Sequence, residues 1–114
     1  MKGIRTSYVS NPKLKYEFNV AIVANKMVNS LGWRHAKEFA PPWDLVQAWK
    51  SQEIGLDEFR SEYRRRVLDK LNVHEMYLKY KGYILACFEK DASICHRTFI
   101  AEWFRQGGYE VEEM

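Results

Sequence analysis

Short apolar runs alternate with longer amphipathic stretches along the chain. Runs at residues 20–24 and 83–88 are continuous in apolar character and predict buried strands, and residues 4–9, which begin and end with apolar side chains, predict a first strand. Residues 109–113 alternate between apolar and charged side chains, which indicates a short edge strand. Strands of continuous apolar character are typical of a sheet that is covered on both faces.

Apolar residues at helical spacing predict helices in the segments between these strands. Trp43–Lys50 follows the chain-breaking pair Pro41-Pro42, and Val73–Tyr80 precedes the run at 83–88. A longer amphipathic helix is predicted from Leu56, Phe59, Tyr63, Val67 and Leu71, which recur every three or four residues.

Parallel pairing with right-handed crossovers follows, because helices separate the strands. The predicted fold class is therefore a small three-layer α/β fold with a mostly parallel, Rossmann-like sheet flanked by helices. A length of 114 residues predicts one domain over residues 1–114.

Composition limits the expected cellular location and the expected classes of binding partner. A hydrophobic fraction of 46% with 29% charged residues is ordinary for a globular protein, and no apolar run approaches a membrane span. No signal-peptide pattern is visible either, so a cytoplasmic location without membrane contact is expected. The two cysteines should then be reduced thiols, although Cys87 and Cys95 are near enough in the chain to pair under oxidation. A net charge of +3 permits a nucleotide or nucleic-acid partner without requiring one and leaves the oligomeric state open.

The reactive side chains of the C-terminal half gather where the strand at 83–88 passes into a helix. Ser93 is the predicted N-cap of that helix, which places Cys95, His96 and Arg97 in its first turn. Free backbone N–H groups and the positive end of the helix dipole favour anions there and lower the pKa of a thiol. Arg97 adds a planar charged group suited to phosphate or carboxylate.

Several short motifs follow one another along this chain in an order that is shared with a known protein family. They are Thr6-Ser7-Tyr8, Ala40-Pro41-Pro42-Trp43-Asp44-Leu45, Tyr63-Arg64, Cys87-Phe88-Glu89, Lys90-Asp91, Cys95-His96-Arg97 and Ala101-Glu102-Trp103. In them the sequence resembles the family called domain of unknown function 488 (DUF488). The resemblance touches most of the chain and implies the fold, while the family name assigns no reaction.

Ligands of parallel α/β folds bind beyond the carboxyl ends of the strands. This rule brings the candidate residues toward one rim of the predicted sheet. The predicted ligand-binding residues are Arg97, Ser7, Tyr8, Asn25, Lys26 and Trp43, and the predicted catalytic residues are Cys95, His96 and Glu89.

Each catalytic candidate also has a structural interpretation. Cys87 is expected to pack in the core, and Cys95 is either a nucleophile or a structural thiol. Glu89 is either a general base or a partner of Arg97 and of the helix N–H groups. Arg97 itself either contacts a ligand or holds an internal carboxylate of Glu89 or Glu102.

A metal site and a phosphate-binding surface are two further interpretations of the sequence. Cys87, Cys95 and His96, with His35 or His74, offer metal-binding atoms, but the spacing Cys-x7-Cys-His matches no zinc motif. No metal and no cofactor are therefore predicted. The run 64–66 consists of three arginines and is either a solvated helix face or a phosphate-binding stripe.

Two functions remain as hypotheses. The first is an enzyme that acts on a nucleotide, nucleic-acid or other phosphorylated substrate, with Cys95 as nucleophile or acid and Glu89 or His96 as proton carrier. The second is a non-catalytic module that binds a nucleotide or nucleic acid.

Overall fold

The computed structural model describes residues 3–25, 32–89 and 95–114. Within these ranges the strands are β1 (Ile4–Tyr8), β2 (Val20–Ile22), β3 (Arg34–His35), β4 (Ile84–Cys87) and β5 (Val111–Glu113). The α-helices are α1 (Trp43–Lys50), α2 (Leu56–Arg66), α3 (Val73–Tyr80) and α4 (His96–Gln106). Short 3-10 helices span Pro12–Tyr16, Lys37–Phe39 and Leu68–Lys70.

The strands form one sheet in the order β3-β2-β4-β1-β5, and every pairing between neighbours is parallel. Tyr8 lies opposite Cys87 and Ile22 lies opposite Ala86, so β1, β2 and β4 end at nearly the same level. This arrangement confirms the predicted small α/β fold with a parallel, Rossmann-like sheet.

All four described α-helices pack on one face of the sheet. Side chains alternate between faces along a strand, so Ala21 and Leu85 point into the large core that the helices complete. Val20 and Ile84 point to the opposite face, where Leu14 of the 3-10 helix Pro12–Tyr16 covers them. The third layer is therefore thin.

Right-handed crossovers explain this division between the faces. The connection from β1 to β2 crosses the sheet in one direction, whereas those from β3 to β4 and from β4 to β5 cross it in the other. Connections of one hand that run in opposite directions must lie on opposite faces. The short 3-10 connection therefore covers one face and the long helical connections cover the other.

The predicted bounds hold for α1 and α3, and β5 is an edge strand as predicted. The helix predicted toward Leu71 ends at Arg66, because Val67 leaves helical geometry at φ −120° and a 3-10 turn follows. The two-residue strand β3 was not predicted, since it has no apolar run. Helix α4 begins at His96 with Cys95 as its N-cap, so the N-cap prediction for Ser93 is wrong; Ser93 itself lies outside the described residues.

None of the helices in the described ranges has the length and apolar character that a membrane span requires.

Candidate functional site

A cavity of about 500 Å³ lies beyond the carboxyl ends of β2 and β4. The chain leaves β2 toward β3 and leaves β4 toward β5, in opposite directions across the sheet. Such a reversal opens a crevice between two strands, and parallel α/β proteins bind ligands there. The cavity is lined by Ala24, Asn25, Pro41, Trp43, Val46, Trp49, Lys50, Phe59, Cys87, Phe88, Glu89, Cys95 and His96.

Five of the predicted site residues line this cavity together. They are Asn25, Trp43, Glu89, Cys95 and His96. They come from the end of β2, the start of α1, the segment after β4 and the start of α4. The parallel topology brings these segments to one rim, as the rule on strand ends predicts.

Other predicted residues lie elsewhere. Ser7 is buried and accepts a hydrogen bond from the Asn11 amide at 3.0 Å, and Tyr8 is half-buried with its ring 5.9 Å from the Arg97 guanidinium carbon. Neither residue lines the cavity. Lys26 lies outside the described residues.

Arg97 is fully buried beneath the cavity wall. Its guanidinium donates to both Glu113 carboxylate oxygens over 2.9–3.1 Å, to Cys87 Sγ at 3.2 Å and to the Glu89 carbonyl oxygen. The internal carboxylate is therefore on Glu113, not on Glu89 or Glu102 as the structural alternative proposed. The geometry gives Arg97 a supporting role, and ligand binding by Arg97 stays a prediction that these contacts do not favour.

Cys87 and Cys95 are joined by a disulfide, with their Cα atoms 7.3 Å apart. Both side chains are almost completely buried, yet both contribute to the cavity wall. The two residues are close enough to pair, as the sequence allowed, whereas the expectation that both are reduced thiols is not met in this structure. Cys87 also packs in the core as predicted, but it is part of the cavity wall as well.

His96 is half-buried at the first position of α4, with its ring edge-on to the Tyr63 ring at 5.5 Å. Burial lowers the pKa of His96 to about 4, so the imidazole is neutral near neutral pH. Nε2 lies 2.8 Å from the carbonyl oxygen of Val23. Because a carbonyl only accepts, Nε2 carries the proton and Nδ1 keeps a free lone pair.

A protein-family model matches most of the chain. The model described as "Active DUF488-N3 subclade" matches residues 13–108, which include every predicted site residue except Ser7 and Tyr8. The chain belongs to the DUF488 family. It matches no curated protein and no solved structure.

Aromatic side chains surround the cavity of this DUF488 chain. Trp43 and Phe88 are 60% and 46% exposed, while Phe59 is buried and contacts the Trp49 ring edge-on at 5.7 Å. Lys50 adds a positive charge at the end of α1. Phe59, Phe88 and Lys50 were missed as site residues, although helical spacing from Trp43 could have placed Lys50 on the same side of α1.

A second kind of site overlaps the first. Cys87 Sγ, Cys95 Sγ and one ring nitrogen of His96 all lie within 4.8 Å of one another. His35 and His74, the other candidate ligands of this DUF488 chain, contact the Ala24 carbonyl oxygen and the Tyr109 hydroxyl instead.

The arginine run of this DUF488 chain is engaged by neighbouring acidic residues. Arg65 forms a bidentate pair with Glu62, and Arg66 forms one with Asp44. Arg64 contacts Asp69. A run that is neutralised in this way favours the solvated-face interpretation over a phosphate-binding stripe.

Proposed function

We propose that this protein is an enzyme that acts on a nucleotide or another phosphorylated substrate in the cavity beyond β2 and β4. The observation that carries the proposal is that Cys95, His96 and Glu89 line one cavity together with exposed aromatic side chains. A thiol, a neutral imidazole and a carboxylate around one space supply a nucleophile and two proton carriers. The description of the matched family subclade as active supports a catalytic role.

The reduced protein is the catalytic form in this proposal. Cys95 acts as nucleophile or acid, and its position as the N-cap of α4 favours the thiolate. His96 carries its lone pair on Nδ1, and one of its ring nitrogens lies within 4.8 Å of the Cys95 sulfur, which supports a role as proton acceptor. Glu89 is exposed where the chain leaves β4 and supplies a carboxylate for proton transfer.

The surroundings of the cavity support a nucleotide-like ligand. Trp43 and Phe88 offer flat apolar faces, and stacking of a base on an aromatic ring contributes about 1–3 kcal/mol. Lys50 and the start of α4 bring positive charge and free backbone N–H groups for a phosphate.

Ligand-induced stabilisation of the folded protein tests the binding half of the proposal. Nucleotides, sugar phosphates and short oligonucleotides are screened against reduced wild type, Trp43→Ala and Phe18→Ala, because Phe18 is an exposed aromatic residue outside the cavity. At a concentration of 100 Kd a ligand stabilises the native state by about 2.7 kcal/mol, which raises the melting midpoint of such a domain by roughly 10 °C. The shift should persist in Phe18→Ala and shrink in Trp43→Ala. No shift with any compound in wild type contradicts the proposal.

Chemical analysis of the bound ligand tests the catalytic half. Wild type should convert the ligand, whereas Cys95→Ser and Glu89→Gln should bind it and return it unchanged. A ligand that wild type also returns unchanged would favour the non-catalytic alternative.

One observation favours that alternative, a module that binds a nucleotide or nucleic acid without changing it. In the disulfide form Cys95 has no thiol to act as a nucleophile. A module would bind its ligand equally in oxidised and reduced protein, and Cys95→Ser would retain affinity. Comparison of the thermal shift before and after reduction separates the two functions.

A further inference from the structure

We propose that, when Cys87 and Cys95 are reduced, their thiolates and the imidazole of His96 bind one zinc ion in the wall of the cavity. This inference goes beyond the proposed function and does not rest on it, since the ion can bind whether or not a substrate is turned over. It also departs from the expectation of no metal, which depended on spacing along the chain.

The three ligand atoms form the set that zinc prefers. They lie within 4.8 Å of one another, and two sulfur atoms with one imidazole nitrogen are a known zinc environment that leaves a fourth position open. Zinc–sulfur bonds of ~2.3 Å in a tetrahedral site hold two sulfur atoms about 3.8 Å apart. The Cα separation of 7.3 Å exceeds the usual disulfide range of about 4.4–6.8 Å, so the backbone spacing suits sulfur atoms farther apart than a direct bond allows.

Hydrogen bonds to His96 and Cys87 favour the forms of these two side chains that bind a metal ion. A histidine that binds zinc normally donates its other ring N–H to a carbonyl or carboxylate, and His96 Nε2 donates to the Val23 carbonyl oxygen. That hydrogen bond leaves Nδ1 as the nitrogen that can bind the ion. The Cys87 sulfur accepts a hydrogen bond from the buried Arg97 at 3.2 Å, which stabilises a thiolate there.

Folding creates the set from segments that are separate in the sequence. Cys87 ends β4, whereas Cys95 and His96 begin α4, and the crossing of strand and helix brings the three together. An open fourth position on the cavity side would be available to water or substrate. In the zinc form Cys95 and His96 are ligands, and Glu89 remains as the nearby proton carrier outside the set. The disulfide and the zinc site are thus alternative states of one cysteine pair.

Cobalt titration of reduced protein tests the site directly, because tetrahedral cobalt with thiolate ligands has a sulfur-to-metal charge-transfer band and strong visible bands. The chain contains two cysteines, so a two-thiolate signal can only come from this pair. One equivalent of Co²⁺ should produce the bands, and one equivalent of Zn²⁺ should remove them. Zinc should also slow alkylation of both cysteines in wild type, a measurement that needs no variant.

Variants identify the ligands. Cys95→Ser should abolish the two-thiolate spectrum, and His96→Asn should weaken cobalt binding at least about tenfold, as changes around zinc sites do. His74→Asn, an exposed histidine outside the set, is the matched control and should bind as wild type does. Circular dichroism of each variant checks that it is folded.

Failure of this proposal differs from failure of the proposed function. The metal site is overturned if reduced wild type, with two free thiols, shows no cobalt bands and no protection of its cysteines from alkylation by zinc. It is also overturned if His96→Asn and His74→Asn bind cobalt equally well. Reduced protein that binds cobalt with the expected bands but, when free of metal, shows no thermal shift with any substrate candidate would retain the metal site and contradict only the proposed enzyme.

Discussion

Removal of the Glu113 carboxylate should destabilise the fold strongly, because this carboxylate pairs with a buried cation. Arg97 is 0% exposed, and Glu113 accepts hydrogen bonds from both Nε and Nη2 of its guanidinium. The same carboxylate accepts a hydrogen bond from Thr6 Oγ1 at 2.6 Å. Glu113→Ala therefore removes a carboxylate that pairs with this charge and the acceptor of the Thr6 hydroxyl.

The expected magnitude follows from the burial of the two partners. Breaking a buried ion pair by removing one member costs about 3–5 kcal/mol. Glu113 is 38% exposed, so water can partly replace its carboxylate and the lower end of the range applies. We expect a loss of about 3 kcal/mol in the free energy of unfolding, or a fall of roughly 12 °C in the melting midpoint.

Urea unfolding followed by circular dichroism in reducing buffer measures this loss. The midpoint should fall while the dependence of the unfolding free energy on urea stays constant. Glu112→Ala is the matched control, because Glu112 is an exposed neighbour in the same strand and its loss should cost less than about 0.5 kcal/mol.

Two results would refute the reasoning about Arg97. One is a Glu113→Ala variant as stable as Glu112→Ala. The other is a double variant Arg97→Met with Glu113→Ala that costs the full sum of the single changes, since the loss of the Glu113 carboxylate should cost less once its cationic partner is also removed. The same contacts imply that Arg97→Ala unfolds or weakens the protein, so this variant cannot serve as a simple test of ligand binding.

Three further substitutions test local contacts by urea unfolding. Asn72→Ala should cost about 1 kcal/mol, because the Asn72 side chain caps α3 by accepting two backbone N–H bonds, and Asn72→Ser should recover most of it. Tyr63→Phe should cost about 1–3 kcal/mol, because the buried hydroxyl donates to the Phe39 carbonyl oxygen at 2.6 Å; a neutral result would mean that this carbonyl finds another donor. Gly107→Ala should cost about 1–3 kcal/mol, because the new Cβ would lie 2.9 Å from both Val73 methyl carbons, and Val73→Ala in the same chain should reduce the additional cost.

The pattern of hydrophobic and polar residues along the chain was enough to predict most of the helices and strands. Apolar runs and helical spacing placed β1, β4, α1 and α3, because each of these elements buries one continuous stripe or run. The same rules failed at β3, whose two residues owe their extended form to pairing with β2. They also extended α2 too far, since Val67 and Leu71 still pack with the core on either side of the 3-10 turn that follows α2.

The candidate site shows more clearly what the sequence determines and what depends on the tertiary structure. The sequence determined that a thiol, an imidazole and a carboxylate would stand at the junction of β4 and α4, because neighbours in the chain stay neighbours in space. Only the tertiary structure decided their partners. Arg97 pairs with Glu113, because the pairing of β5 with β1 places Glu113 within reach. Cys87 lies close to His96, because the end of β4 and the start of α4 converge. Hydrophobic periodicity specifies which face of an element is buried, whereas contacts across the sheet depend on strand order and register, and these are properties of the whole packed chain.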